Sequence, residues 1–191
     1  MKKRVGILGG SFDPVHCGHI RIANSFLKSG LIDELLILLS PHPPHKQNQK
    51  KADFLHRFEM LKRAFETIQN VTLSDLEQKL EKPSYTLQTI EYLQEKNPET
   101  LYYLCIGEDS LQYFDKWHKY QKILGKVHLL VAERPGFDKY GVNPEILERA
   151  IFVEHQPYSI SSTTIRKAGI EIQEDLPETV VSYIKENRLY E

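Results

Sequence analysis

A chain of 191 residues, 40% apolar and 27% charged, is long enough for one domain that buries roughly 70% of the surface its unfolded form exposes. Its 25 Lys and Arg against 26 Asp and Glu leave a net charge of -1, which excludes the clustered cationic excess of a nonspecific nucleic-acid binder. The longest apolar run, LLILL at 35–39, is too short for a membrane span, and Asp13 interrupts the stretch after MKKR before it could serve as a leader.

The first element is RVGILGG at 4–10. Its continuous apolar character suits a strand covered on both faces, and the same holds for 34–40, 71–74, 100–107, 126–133 and 150–155. Helix-period segments alternate with them at 19–29, 53–68, 84–96, an interrupted 109–124, and 143–149, and two more follow at 161–168 and 177–188. The alternation predicts an α/β fold, a Rossmann-like doubly wound parallel sheet with helices on both faces, as a single domain over 1–191. SPHPPHKQNQKKAD at 40–53 is polar, proline-rich and too long for an ordinary connection, the mark of a functional or disordered loop. Two cysteines, Cys17 and Cys105, without a secretory leader point to a soluble, reduced, cytoplasmic protein.

Open parallel sheets bind ligands outside the carboxyl ends of their strands. GGSFDPVHCGH at 9–19 follows the first strand and matches neither G-x-G-x-x-G nor the Gly-Lys-Ser/Thr phosphate loop. Gly9, Gly10 and Gly18 allow close backbone approach, Pro14 stiffens the turn, and His19 falls in the first turn of the next helix, where N–H groups and the dipole attract anions. His16 and His19, three apart, can face one anion, and a triphosphate there would raise their pKa values so that they bind it partly as cations. A zinc site needs at least three protein ligands, and only His42 and His45 stand nearby. Cys17 between the histidines reads as a reactive thiol at a helix N-terminus or as an inert spacer.

GGSFDPVHCGH resembles the H-x-G-H nucleotidyltransferase motif in the form found in bacterial nicotinate-nucleotide adenylyltransferases, and SISSTTIR at 159–166 is similar to that superfamily's second signature. PHPPHK at 41–46, SYT at 84–86, IGEDSL at 106–111 with Trp117, and ERPG at 133–136 follow in the family's order. The proline loop is one residue shorter than the family's if Pro41 is its first proline. Ser11, Glu108 and His118 stand where threonine, alanine and tyrosine are frequent.

The resemblance implies adenylyl transfer from ATP to nicotinate mononucleotide, giving deamido-NAD and pyrophosphate, with Mg²⁺ carried on the ATP phosphates. It assigns His16, His19 and Arg166 to catalysis. ATP would be bound by Gly9, Gly10, Ser11, Phe12, His16, Gly18, His19, Gly107, Asp109, Ser161, Ser162, Thr163 and Arg166. The mononucleotide would be bound by His45, Lys46, Tyr85, Thr86, Trp117, His118 and Arg134. Lys46 and Arg134 suit its phosphate, Trp117 a stacked pyridine, and Thr86 an anionic carboxylate.

No protein metal site is expected. Each of these residues also has a plainer reading: Ser161, Ser162 or Asp109 as helix caps, Trp117 as core, and Lys46 and Arg134 as solvated charges. Nicotinamide mononucleotide or another phosphorylated acceptor such as phosphopantetheine stays open as substrate, as does CTP as donor. So does a homo-oligomer.

Overall fold

The structure, a computed structural model, describes residues 2–41, 52–133, 138–156, 160–168 and 173–190. Six strands form one sheet: β1 (Arg4–Gly10), β2 (Glu34–Leu39), β3 (Val71–Ser74), β4 (Leu101–Gly107), β5 (His128–Glu133) and β6 (Ala150–Glu154), in the order β3-β2-β1-β4-β5-β6. Every neighbouring pair is parallel. The direction of winding reverses between β1 and β4, and such a reversal opens a crevice beyond the strand ends.

The apolar runs of the strands divide with period two between two cores. Leu8, Leu35, Ile37, Leu39, Cys105, Leu130 and Ala132 pack with α1 (Cys17–Lys28), α2 (Phe54–Phe65) and α9 (Glu178–Glu186). Val5, Ile7, Leu38, Leu104, Ile106, Leu129 and Val131 pack on the other face with α4 (Thr86–Lys96), α5 (Glu108–Gln112), α6 (Tyr120–Lys126) and α7 (Pro144–Glu148). Burial on both sides is why these strands read as continuous hydrophobic runs. A short helix that the periodicity does not show, α3 (Leu76–Lys79), follows β3, and α8 (Ser162–Ala168) follows β6. The expected 109–124 helix is three pieces, with a 3-10 turn at Phe114–Lys116 and Lys119 in the left-handed region at φ 54. Among the described residues no helix is long and apolar enough to cross a membrane.

One side chain locks the carboxyl ends of β1 and β2 in place. Arg57 of α2 is 2% exposed, and its guanidinium donates to four carbonyls: Ser11 at 2.8 Å, Ser40 at 3.0 Å, Ala52 at 3.0 Å and Pro41 at 3.3 Å. The planar fork reaches diverging acceptors that an ammonium could not span. Arg57→Ala leaves those buried carbonyls unpaired and should lower the unfolding free energy by about 3 kcal/mol, with Arg57→Lys recovering less than half. Urea denaturation at neutral pH checks both values.

Candidate active site

The loop after β1 turns sharply. Phe12 adopts a left-handed φ of 43, which drives its ring under the loop, where it is 2% exposed and meets the His19 ring edge-on at 4.9 Å. A Cβ on Gly10 would stand 2.9 Å from that ring, so the turn closes only with glycine there. The Phe12 side chain is therefore core, and a nucleotide could meet this residue only through its backbone.

His16 is the N-cap of α1, in extended geometry, and His19 lies in the first turn. Their rings lie face to face, 3.7 Å between centroids and 32° between planes. The backbone N–H of His16 donates to Nδ1 of His19 at 3.1 Å. In the neutral imidazole the proton then sits on Nε2 of His19, which becomes its donor. A Cβ on Gly18 would fall 3.0 Å from the His16 ring, so this glycine makes room for the imidazole.

His16 is 6% exposed, and its Nδ1 has no hydrogen-bond partner among the described residues. Burial depresses its pKa to about 4, opposed only by the nearby Asp175 carboxylate. Without ligand, burial therefore keeps His16 neutral at pH 7. Burial pushes the Cys17 thiol up, which favours the inert spacer over the reactive thiol.

Arg166 reaches the same loop from α8. Its Nη1 donates to the Asp13 carbonyl at 2.5 Å and lies 3.6 Å from Asp13 Oδ2. Its Nη2 donates to the Thr163 hydroxyl at 3.3 Å. Ser162 donates to the Pro14 carbonyl at 3.0 Å, so its hydroxyl is spent on holding the helix to the loop. Ser161 accepts from the N–H of Thr164 at 3.1 Å, an N-cap contact. At the end of β4, Gly107 is the N-cap of α5 and Asp109 lies in its first turn. The capping alternative raised for Asp109 thus belongs to Gly107.

A cavity of about 550 Å³ opens on the other face of the sheet. Gly9, Gly10, Ser11, Tyr85, Thr86, Trp117 and His118 line it, together with Ser40, Glu77 and Thr89. Thr86 begins α4, and Tyr85 before it stacks on His118 at 4.2 Å and 24°. Histidine in place of tyrosine at 118 therefore still presents a flat ring beside Trp117. Trp117 itself packs on Phe114 at 5.0 Å and also lines the cavity. His16, Gly18, His19, Gly107, Asp109, Ser161, Ser162, Thr163 and Arg166 do not line this cavity. His45, Lys46 and Arg134, with His42, lie outside the described residues.

Sequence reasoning missed Glu77. It is 6% exposed and accepts from the hydroxyls of Ser40 at 2.7 Å and Thr89 at 3.3 Å. Burial raises its carboxyl pKa against those two bonds. It lies within the four-residue helix α3, which leaves no periodic signal to flag it.

Residues 7–168 match the cytidylyltransferase-like family. The nicotinate-nucleotide adenylyltransferase of Bacillus subtilis (strain 168) is 35% identical over 99% of both chains. The protein named probable nicotinate-nucleotide adenylyltransferase in Clostridium botulinum (strain Okra / Type B1) is 34% identical over 96% of this chain and 97% of its own. Among solved structures, the nicotinic acid mononucleotide adenylyltransferase of Plasmodium falciparum complexed with NaAD superposes with a TM-score of 0.82 at 22% identity, covering 98% of this chain and 97% of that one. The fold agrees with that neighbour, and the identity carried along nearly the whole length of its relatives shows that the chain belongs to the nicotinate-nucleotide adenylyltransferase family, within the cytidylyltransferase-like group.

Proposed function

We propose that the chain transfers the adenylyl group of ATP to nicotinate mononucleotide, releasing pyrophosphate and forming the deamido precursor of NAD. The carrying observation is that one loop, from Gly9 to His19, lines the aromatic cavity with Gly9, Gly10 and Ser11 and ends in the paired imidazoles of His16 and His19. Two nucleotides, one at the cavity and one at the imidazoles, would bring their phosphates together at Gly9, Gly10 and Ser11. Relatives of 35% and 34% identity bear this activity in their names.

In the reaction, an oxygen of the mononucleotide phosphate attacks the α-phosphorus of ATP. The bond from that phosphorus to the oxygen bridging to the β-phosphate breaks, and pyrophosphate departs with the electron pair. Such transfers rest on alignment and on charge stabilisation, so no nucleophilic side chain is required. His19 donates through Nε2 to a phosphoryl oxygen. His16 supplies a second donor once phosphate oxygens approach it, and the first turn of α1 adds backbone N–H groups and its dipole.

Arg166, already at the loop, receives the β- and γ-phosphates with its fork. Gly107 and Asp109 take the adenosine ribose, with Ser161 and Thr163 beside the departing phosphates. On the acceptor side the pyridine stacks on Trp117, and its carboxylate meets Thr86 and the N-terminus of α4, which favours the acid over the neutral amide. His45, Lys46 and Arg134 are assigned to the mononucleotide by resemblance. Mg²⁺ would travel with the triphosphate, coordinated by phosphate oxygens and water, and would neutralise charge there. The two free thiols suit a cytoplasmic setting.

Pyrophosphate release with ATP and a panel of nicotinate mononucleotide, nicotinamide mononucleotide and phosphopantetheine tests the assignment. Turnover should be fastest with nicotinate mononucleotide, and a preference for either other acceptor refutes it. His19→Ala should lower turnover by about 10²- to 10³-fold with the fold intact; near-full activity would remove the phosphate role.

Trp117→Ala should weaken mononucleotide binding about tenfold or more while leaving ATP binding nearly unchanged, and titration calorimetry separates the two. Because His16 stays neutral down to about pH 4 in the free chain, an arriving triphosphate raises its pKa and draws a proton from solvent. ATP binding should therefore tighten as pH falls through the raised value toward 4. Calorimetry in buffers of different ionisation enthalpy should show proton uptake that His16→Asn reduces.

A further inference from the structure

The last described residue, Tyr190, returns to the loop that begins the chain. Its hydroxyl donates to Asp13 Oδ1 at 2.7 Å, a contact spanning 177 positions. Asp13 is 1% exposed and lies three residues before His16. The backbone N–H of Ala52 shares Oδ1 at 3.1 Å, while the guanidinium of Arg166 stands near Oδ2 and on the Asp13 carbonyl. Burial and the adjacent carboxylate push the Tyr190 phenol far above its ordinary range, so it keeps its proton and serves only as a donor.

Tyr190 is delivered by α9, which docks on α2. Thr179 donates to the Arg63 carbonyl at 3.2 Å, Tyr183 pairs with His56 at 3.0 Å, and the Arg63 guanidinium lies 4.7 Å over the Tyr183 ring.

We propose that Tyr190 is a positioning residue for the ATP side of the site: its hydroxyl satisfies Oδ1 of the buried Asp13 carboxylate, whose Oδ2 has no hydrogen-bond partner among the described residues, and so fixes the loop carrying His16 and lowers the cost of turning Arg166 toward a triphosphate. The inference rests on the reading of that loop as the ATP site. A buried carboxylate served only by Arg166 and one amide would hold the guanidinium tightly, and recruiting Arg166 to phosphate would uncover an unpaired charge. With the phenol in place, Oδ1 keeps two donors whatever Arg166 does.

Direct titration of a nonhydrolysable ATP analogue and, separately, of nicotinate mononucleotide into the full chain and Tyr190→Phe tests this. The variant keeps the ring and removes only the hydroxyl. Its Kd for the ATP analogue should rise about tenfold, while its Kd for the mononucleotide stays within twofold of wild type, because the acceptor cavity lies on the other face. Thr179→Val loosens the same helix without touching Asp13 and should leave both constants within twofold.

Unchanged ATP affinity in Tyr190→Phe, equal losses for both ligands, or an equal ATP loss in Thr179→Val overturns the inference. A wild-type chain that binds ATP yet releases no pyrophosphate with nicotinate mononucleotide overturns the proposed reaction alone. Should Tyr190→Phe unfold at the assay temperature, Tyr190→Trp, which restores a ring with an N–H donor, serves in its place, with the expectation of tighter ATP binding than a Tyr190→Leu chain. Equal affinities in that pair count against the proposal.

Discussion

A carboxylate at 1% exposure is the constraint around which the site is built. Removing such a group from water costs several kcal/mol unless cations and donors replace the lost hydration. Asp13 recruits them from three places in the chain: Ala52 just ahead of α2, Arg166 in α8 and Tyr190 after α9. Arg57 holds the neighbouring carbonyls of Ser11, Ser40 and Pro41. The first loop is thus fixed by segments far along the chain, from Ala52 and Arg57 to Arg166 and Tyr190. Local propensity alone could not hold Phe12 at positive φ with two histidine rings stacked behind it.

The sheet explains why the site has two unlike halves. Side chains of a parallel strand alternate between faces, so each strand feeds both cores, and its carboxyl end is the single place where the two faces meet. At the end of β1 that meeting point is Gly9 and Gly10. No atom lies within 4 Å of where a Gly9 Cβ would be, so this wall is backbone only. A charged, hydrogen-bonding half on one side and an aromatic half on the other suit a reaction joining a triphosphate to a ring-bearing mononucleotide.

Much of this was legible in the sequence because the relevant signals are local. The six strands follow from uninterrupted apolar runs, and their bounds agree with the structure to within two residues, as in 126–133 against His128–Glu133. His16, His19 and Thr86 stood out as candidates because each sits at a strand end or helix start within a compact motif, and Trp117 because it is the single tryptophan of the chain. Glu77 was not, since a four-residue helix has no period to detect and its burial depends on Ser40 and Thr89 arriving from other elements. Tyr190 and Arg57 were hidden for the same reason: an aromatic near a terminus and a cation on an amphipathic helix look solvated until the fold shows what they touch. The burial of His16 was hidden too, because the H-x-x-H spacing brings two rings together and says nothing of what covers them.

That burial bears on the chemistry of the loop. A cationic pair held permanently at the loop would attract any passing phosphate and would repel itself at a ring separation of 3.7 Å. Two neutral rings stack without that repulsion, and the amide bond to His19 fixes which nitrogen carries its proton. Positive charge can then appear on His16 only when phosphate oxygens lie close enough to outweigh its burial. Under the proposed reaction, such coupling would place the added electrostatic stabilisation where charge develops in the transition state.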